Sequence, residues 1–153
     1  MEGLKNLLTG KGEADSSTLK RQMMINAGLD QFKKTPLLGI GIGSSGYINQ
    51  KILGINTYLH NNYVEILACG GIVGFVCYYA MYCYLLVNLV KLAFKNNTAA
   101  VLPFVITTIL LLNQIGVVSY YSKTTYIYLM YCFLIVKTEK NKLSERIAEN
   151  EIS

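Results

Sequence analysis

The chain has 153 residues, is 52% hydrophobic and only 15% charged, and carries a formal net charge of +5. One domain fits that length, but the apolar residues are bunched into long uncharged runs, which argues against a water-soluble globule. The lysines and arginines form no dense stripe with interleaved aromatics, so nucleic acid is not the expected partner; an anionic lipid surface or a phosphate-bearing substrate suits them better.

The opening residues, MEGLKNLLTGKGEAD, are too polar to read as a signal peptide. Asp15, Ser16, Ser17 and Thr18 follow, each a suitable N-cap, and the spacing predicts a helix over about 19–34. Ile25, Leu29 and Phe32 recur at helical spacing and give it one apolar stripe, while Lys20, Arg21, Lys33 and Lys34 make it basic. Such a helix can lie along a membrane surface or dock on the rest of the protein. Arg21 falls in its predicted first turn, a permanent cation beside backbone N–H groups that favour anions. Pro36 should end the helix.

Next comes GIGIGSSGY, residues 39–47, in which Gly41, Gly43 and Gly46 spell G-x-G-x-x-G. In a dinucleotide-binding loop that pattern follows a buried strand and opens a helix. Here it follows a charged helix, and only Pro36, Leu37 and Leu38 lead into it. A Gly/Ser turn between two elements is the better reading. Residues 47–59 are expected to be irregular.

His60 is the sole histidine, with Asn61, Asn62 and Glu65 beside it at the mouth of an apolar run. An interfacial collar of polar side chains would account for this cluster. So would a site, since imidazole beside an amide suits proton transfer near neutral pH or a hydrogen bond to phosphate.

Residues 66–90 and 99–119 contain no charge at all. Each exceeds the ~18–20 residues that cross a bilayer as a helix. The shorter run 124–136 extends back through Tyr120 and Tyr121, with Lys123 reaching the interface. The expected fold is therefore an all-α integral membrane protein. Three transmembrane helices, at about 64–90, 99–119 and 120–136, follow an extracytoplasmic segment, residues 1–63, that holds the amphipathic helix. Lys91 and Lys95, and then Lys137, Lys140, Lys142 and Arg146, put 91–98 and the tail 137–153 in the cytoplasm by the positive-inside rule; the lysines of 1–63, Lys5 and Lys11 among them, pull against that placement. The tail reads as a solvated, frayed helix. Cys69, Cys77, Cys83 and Cys132 match no zinc or CxxC spacing and read as small apolar fillers, so no metal is expected. Tyr58, Tyr63, Tyr120, Tyr121 and Tyr126 crowd the span ends, where amphipathic rings favour the interface. Gly70 and Gly74 suit close helix packing, Asn113 and Gln114 suit bonds to neighbouring helices, and Pro103 suits a helix entry.

The stretch HNNYVEILACGGIVGF fits H-[NSQ]-x9-G-x-x-G, with His60 and Asn61 opening it and Gly71 and Gly74 closing it. Upstream, Arg21, Pro36, Gly39 and Gly41 fit an arginine, a helix and then P-x-x-G-x-G. Together these resemble the O-antigen ligase and polysaccharide polymerase family over about residues 15–75. The resemblance implies a multi-pass glycosyltransferase of the bacterial plasma membrane, with its site on the extracytoplasmic side. Such an enzyme takes a glycan from an undecaprenyl-pyrophosphate-linked oligosaccharide donor and places it on a glycan or lipid acceptor, without a cofactor. It further implies that Arg21 neutralises the pyrophosphate and that His60 activates the acceptor or holds the pyrophosphate, with Asn61, Glu65, Gly41 and Gly43 lining the substrate. Family members carry more membrane helices ahead of this region. The chain is therefore expected to be a C-terminal portion, inactive unless further N-terminal helices complement it as a separate chain. The competing expectation is a non-enzymatic membrane accessory protein of envelope assembly.

Overall fold

The computed structural model describes residues 13–95 and 97–152; the first twelve residues, with Lys5 and Lys11, lie outside them. Among the described residues the chain is all-helical. Its five α-helices are α1 (Glu13–Lys34), α2 (Ser45–Leu53), α3 (Asn62–Ala93), α4 (Val101–Asn113) and α5 (Lys123–Ile152), with a 3-10 turn, Thr98–Ala100, leading into α4. The chain divides into two compact units. One comprises residues up to Phe75 with Gly116–Val118, and the other Val76–Ile115 with Ser119–Ser153.

In the first unit, Met24, Ile48, Leu59, Val64 and Ala68 form the core, with Ile25, Ala27, Ile40 and Leu53 packed against it. α1 presents Met24 and Gly28 to that core rather than the expected stripe through Leu29, which faces out. The reason is closeness: a Cβ at Gly28 would come within 2.6 Å of Val64 Cγ1 and 2.7 Å of Leu59 Cδ1. α1 also starts earlier than expected. Asp15, Ser16, Ser17 and Thr18 all sit inside the helix instead of capping it. Arg21 is consequently more than two turns from the helix start, so the N-terminal N–H groups are not its neighbours.

Residues 45–53 are helical, contrary to the irregular stretch expected there. Gly54, at φ 71°, closes α2 in the left-handed conformation, and its N–H donates to the Gln50 carbonyl. Asn49 then pins the returning chain: its Nδ2 donates to the carbonyls of Thr57 (2.7 Å) and Tyr58 (3.1 Å).

α3 is interrupted at Gly71, whose φ of 62° and ψ of −165° are not helical. A broken helix exposes backbone groups that a membrane would not hydrate, so they need partners. The turn after α1 supplies them. Ile40 N–H donates to the Ala68 carbonyl (3.1 Å) and Gly41 N–H to that of Cys69 (2.8 Å), while Ile72 N–H donates to Pro36 (2.8 Å) and Val73 N–H to Leu37 (3.2 Å). The glycine turn is thus clipped into the break. Gly70 meets Ile42 of that turn, and a Cβ on Gly74 would meet nothing within 4 Å, so neither packs a helix as expected.

In the second unit, α4 and α5 pack together, with Pro103, Thr107, Leu129, Cys132 and Val136 buried. Gln114 lies just past the end of α4. Its Oε1 accepts from the Tyr79 hydroxyl and its Nε2 donates to that of Tyr82, both at 2.7 Å. α4 stops at Asn113, short of the expected 119, and Ser119 and Ser122 close a turn before α5 begins. α5 runs unbroken to Ile152, so the tail after 136 continues the same helix; it has no Gly or Pro to stop it, and Lys142 pairs with Glu139 at i,i+3. Pro103 lies in the first turn of α4, where its missing N–H costs nothing. Cys69 and Cys132 are buried fillers, whereas Cys77 and Cys83 are exposed. Of the described helices, α3 alone is both long and apolar enough to cross a membrane; Thr98–Asn113 is a shorter apolar helix.

Candidate functional site

The polar cluster lies at the start of α3. Asn61 precedes the helix, and its Oδ1 accepts from the Val64 N–H at 3.0 Å, an N-cap bond. His60, just before it, adopts φ 55°. Left-handed backbone at a non-glycine residue stores strain and persists only where the surroundings enforce it.

Glu65 supplies that enforcement. Its side chain is 1% exposed. Oε2 accepts the Leu59 N–H and Oε1 accepts the Ser45 hydroxyl, both at 2.7 Å. One buried carboxylate thereby ties the residue before His60 to the first residue of α2. Both oxygens serve the fold, so Glu65 acts as a brace behind His60. In the low-dielectric interior these two hydrogen bonds hold the turn before His60 firmly.

His60 itself is partly exposed. The Tyr58 ring lies against it, with centroids 4.3 Å apart and planes at 47°. Partial burial holds the imidazole below its ordinary value of 6.5, and the Arg21 charge pushes in the same direction. Arg21 on α1 and His60 before α3 belong to one unit, and the guanidinium charge is felt at the imidazole. Gly41 and Gly43 have φ values of 108° and 84°. Gly41 is committed to the break in α3 through its N–H, while a Cβ on Gly43 would meet nothing within 4 Å, which leaves the turn open on that side.

Sequence reasoning missed Ser45, which it had placed in the Gly/Ser turn, and Tyr58, which it had read as an interfacial ring. The alternation of Ser44, Ser45 and Gly46 after a glycine turn is a helix-start signal that would have pointed to Ser45.

No curated protein and no solved structure matches the chain. The family model described as O-antigen ligase (Wzy_C) matches residues 1–79, which takes in α1, the glycine turn, the brace and the break in α3. That is more than half of the sequence, and the chain belongs to the O-antigen ligase family.

Proposed function

We propose that the chain contributes the extracytoplasmic face of a membrane glycosyltransferase. It would move a glycan from an undecaprenyl-pyrophosphate carrier to an acceptor hydroxyl in cell-surface polysaccharide synthesis. The observation that carries this reading is the family match over residues 1–79, which takes in both Arg21 and His60, an imidazole whose pKa is lowered by burial and by the Arg21 charge.

The chemistry follows from those two groups. The acceptor oxygen attacks the anomeric carbon, the bond from that carbon to the pyrophosphate oxygen breaks, and the acceptor proton passes to neutral His60. Arg21 meets the negative charge that develops on the departing diphosphate, where a planar, multi-donor cation is worth most. Asn61, next to His60 in the chain, and Gly43 would line the glycan, and the Tyr58 ring gives His60 a fixed flank.

The membrane arrangement is part of the same proposal. α4 buries Pro103 and Thr107 and exposes Leu102, Val105, Ile109 and Leu112; the first half of α5 buries Leu129, Cys132 and Val136 and exposes Ile127, Met130 and Leu134. Helices that are apolar on their outward faces suit lipid. With α3 they would make three membrane-embedded helices of a multi-pass protein in the bacterial plasma membrane, the Arg21–His60 end outside and residues 91–98 inside.

Transfer from a lipid-linked oligosaccharide, followed in membranes that carry the chain, tests the assignment. Arg21→Ala and His60→Ala should each lower the rate by roughly 10²-fold or more. If transfer survives both substitutions, the accessory-protein reading replaces the catalytic one.

A further inference from the structure

The second unit carries a cavity that the glycosyl-transfer reading does not use. It lies at the C-terminal end of α3, has a volume of about 390 Å³, and is lined by Asn88, Lys91, Phe94, Lys95, Lys140 and Leu143. No carboxylate lines it. The nearby Glu139 is already taken, by Lys142 at 2.8 Å and by Asn97 Nδ2 at 2.7 Å. Lys140 Nζ donates to Asn88 Oδ1 at 3.3 Å and stands 5.9 Å over the Tyr84 ring. Among the described residues none of Lys91, Lys95 and Lys140 has an ion-pair partner. Three cations thus line one concavity that has no carboxylate in its wall, although Lys95 also borders a neighbouring cavity that Glu139 lines.

A second cavity adjoins it. It measures about 280 Å³ and is lined only by Val90, Ala93, Phe94 and Phe104. Phe94 belongs to both walls and is itself 85% exposed. A basic pocket that shares an aromatic wall with an apolar slot matches a molecule with an anionic head and a hydrocarbon tail. A soluble phosphate would satisfy the lysines and leave the slot empty.

We propose that Lys91, Lys95 and Lys140 bind the phosphate of an anionic phospholipid headgroup, with Phe94 and Phe104 seating the start of an acyl chain. The site rests on the membrane reading above, since it needs the end of α3 at a bilayer surface, but it is independent of the glycosyl-transfer chemistry. Basic pockets between membrane helices select anionic lipids in this way.

Binding of phosphatidylglycerol, phosphatidylcholine and inorganic phosphate to the full chain, measured by native mass spectrometry from detergent, tests the proposal. Phosphatidylglycerol should bind at least about tenfold tighter than phosphatidylcholine. The triple variant K91Q/K95Q/K140Q should lose roughly 100-fold in that affinity, at about fivefold per lysine. Phe94→Ala should weaken phosphatidylglycerol and leave phosphate unchanged. The variant K20Q/K34Q/K51Q, which removes the same charge elsewhere, should keep the preference. Equal loss in both triple variants, no preference between the two lipids, or phosphate binding as tightly as the lipid would each overturn the site. If carbonate strips the chain from membranes, the membrane reading falls with it; an inserted chain indifferent to phosphatidylglycerol sinks the lipid site alone.

Discussion

Gly39 and Gly71 are reciprocal: each lies where the other's chain segment leaves no room for a side chain. A Cβ on Gly39 would fall 2.3 Å from the Cys69 carbonyl carbon, and one on Gly71 would fall 2.2 Å from the Leu37 oxygen. Both have positive φ, 66° and 62°. The two glycine motifs, about thirty residues apart in sequence, are therefore two halves of one backbone joint.

Alanine at either position should be among the most damaging single changes in the chain. Left-handed backbone alone costs a non-glycine residue roughly 1–2 kcal/mol, and the clash is with backbone, which cannot swing aside. Gly43→Ala, with open space around it, should incur only the conformational cost, and Gly74→Ala should be close to neutral or slightly stabilising. Thermal melting of the four variants in detergent should rank them in that order.

The Glu65 brace separates shape from charge. Glu65→Ala leaves the Leu59 N–H and the Ser45 hydroxyl unpaired inside the core, and should cost about 2–3 kcal/mol. Glu65→Gln keeps one acceptor for Leu59 and one donor for the serine oxygen, so it should cost less. Chemical unfolding gives the stabilities; transfer assays should show Gln retaining activity that Ala loses, because His60 keeps its geometry.

His60 sets a pH dependence. Its folded value is lowered, so the unfolded chain takes up a proton at a higher pH than the folded one does. Its contribution to stability is therefore fully present above 6.5 and declines as pH falls below that value. Activity that needs the neutral imidazole should likewise have its acidic limb below 6.5. Arg21→Gln removes the second of the two causes and should move that limb upward, which a pH–rate profile or imidazole NMR titration would detect.

In the second unit, Gln114 joins two tyrosine hydroxyls in a dry interior. Gln114→Leu removes both of these bonds and should destabilise by about 2 kcal/mol. Tyr82→Phe removes the Gln114 bond and the longer 3.4 Å contact with the Tyr78 hydroxyl but keeps the bond from Tyr79 to Gln114, and should cost about half as much. Unfolding in mixed micelles resolves the difference.

Much of this was legible in the residues. The uncharged runs give the helices, Pro36 ends α1 as expected, and His60, Asn61 and the spaced glycines carry the family. What could not be read is the joint itself, because its four hydrogen bonds run between backbone groups and leave no side-chain pattern beyond the glycines. α2 was missed because Gly46 and Asn49 are poor helix formers; tertiary bonds from Asn49 to Thr57 and Tyr58 hold it. Glu65 read as part of a polar collar or as a substrate-lining acid, and only the fold reveals that both its oxygens are occupied.

The break at Gly71 also divides the ruler by which α3 should be measured. From Ile72 to Ala93 the helix has roughly 22 residues, and at about 1.5 Å each it extends about 33 Å, close to the ~30 Å hydrocarbon depth of a bilayer. A crossing made by that stretch alone would leave Asn62 to Gly70 outside the hydrocarbon. It is a short pedestal under His60, and the four backbone bonds across the break fasten it to the turn after α1.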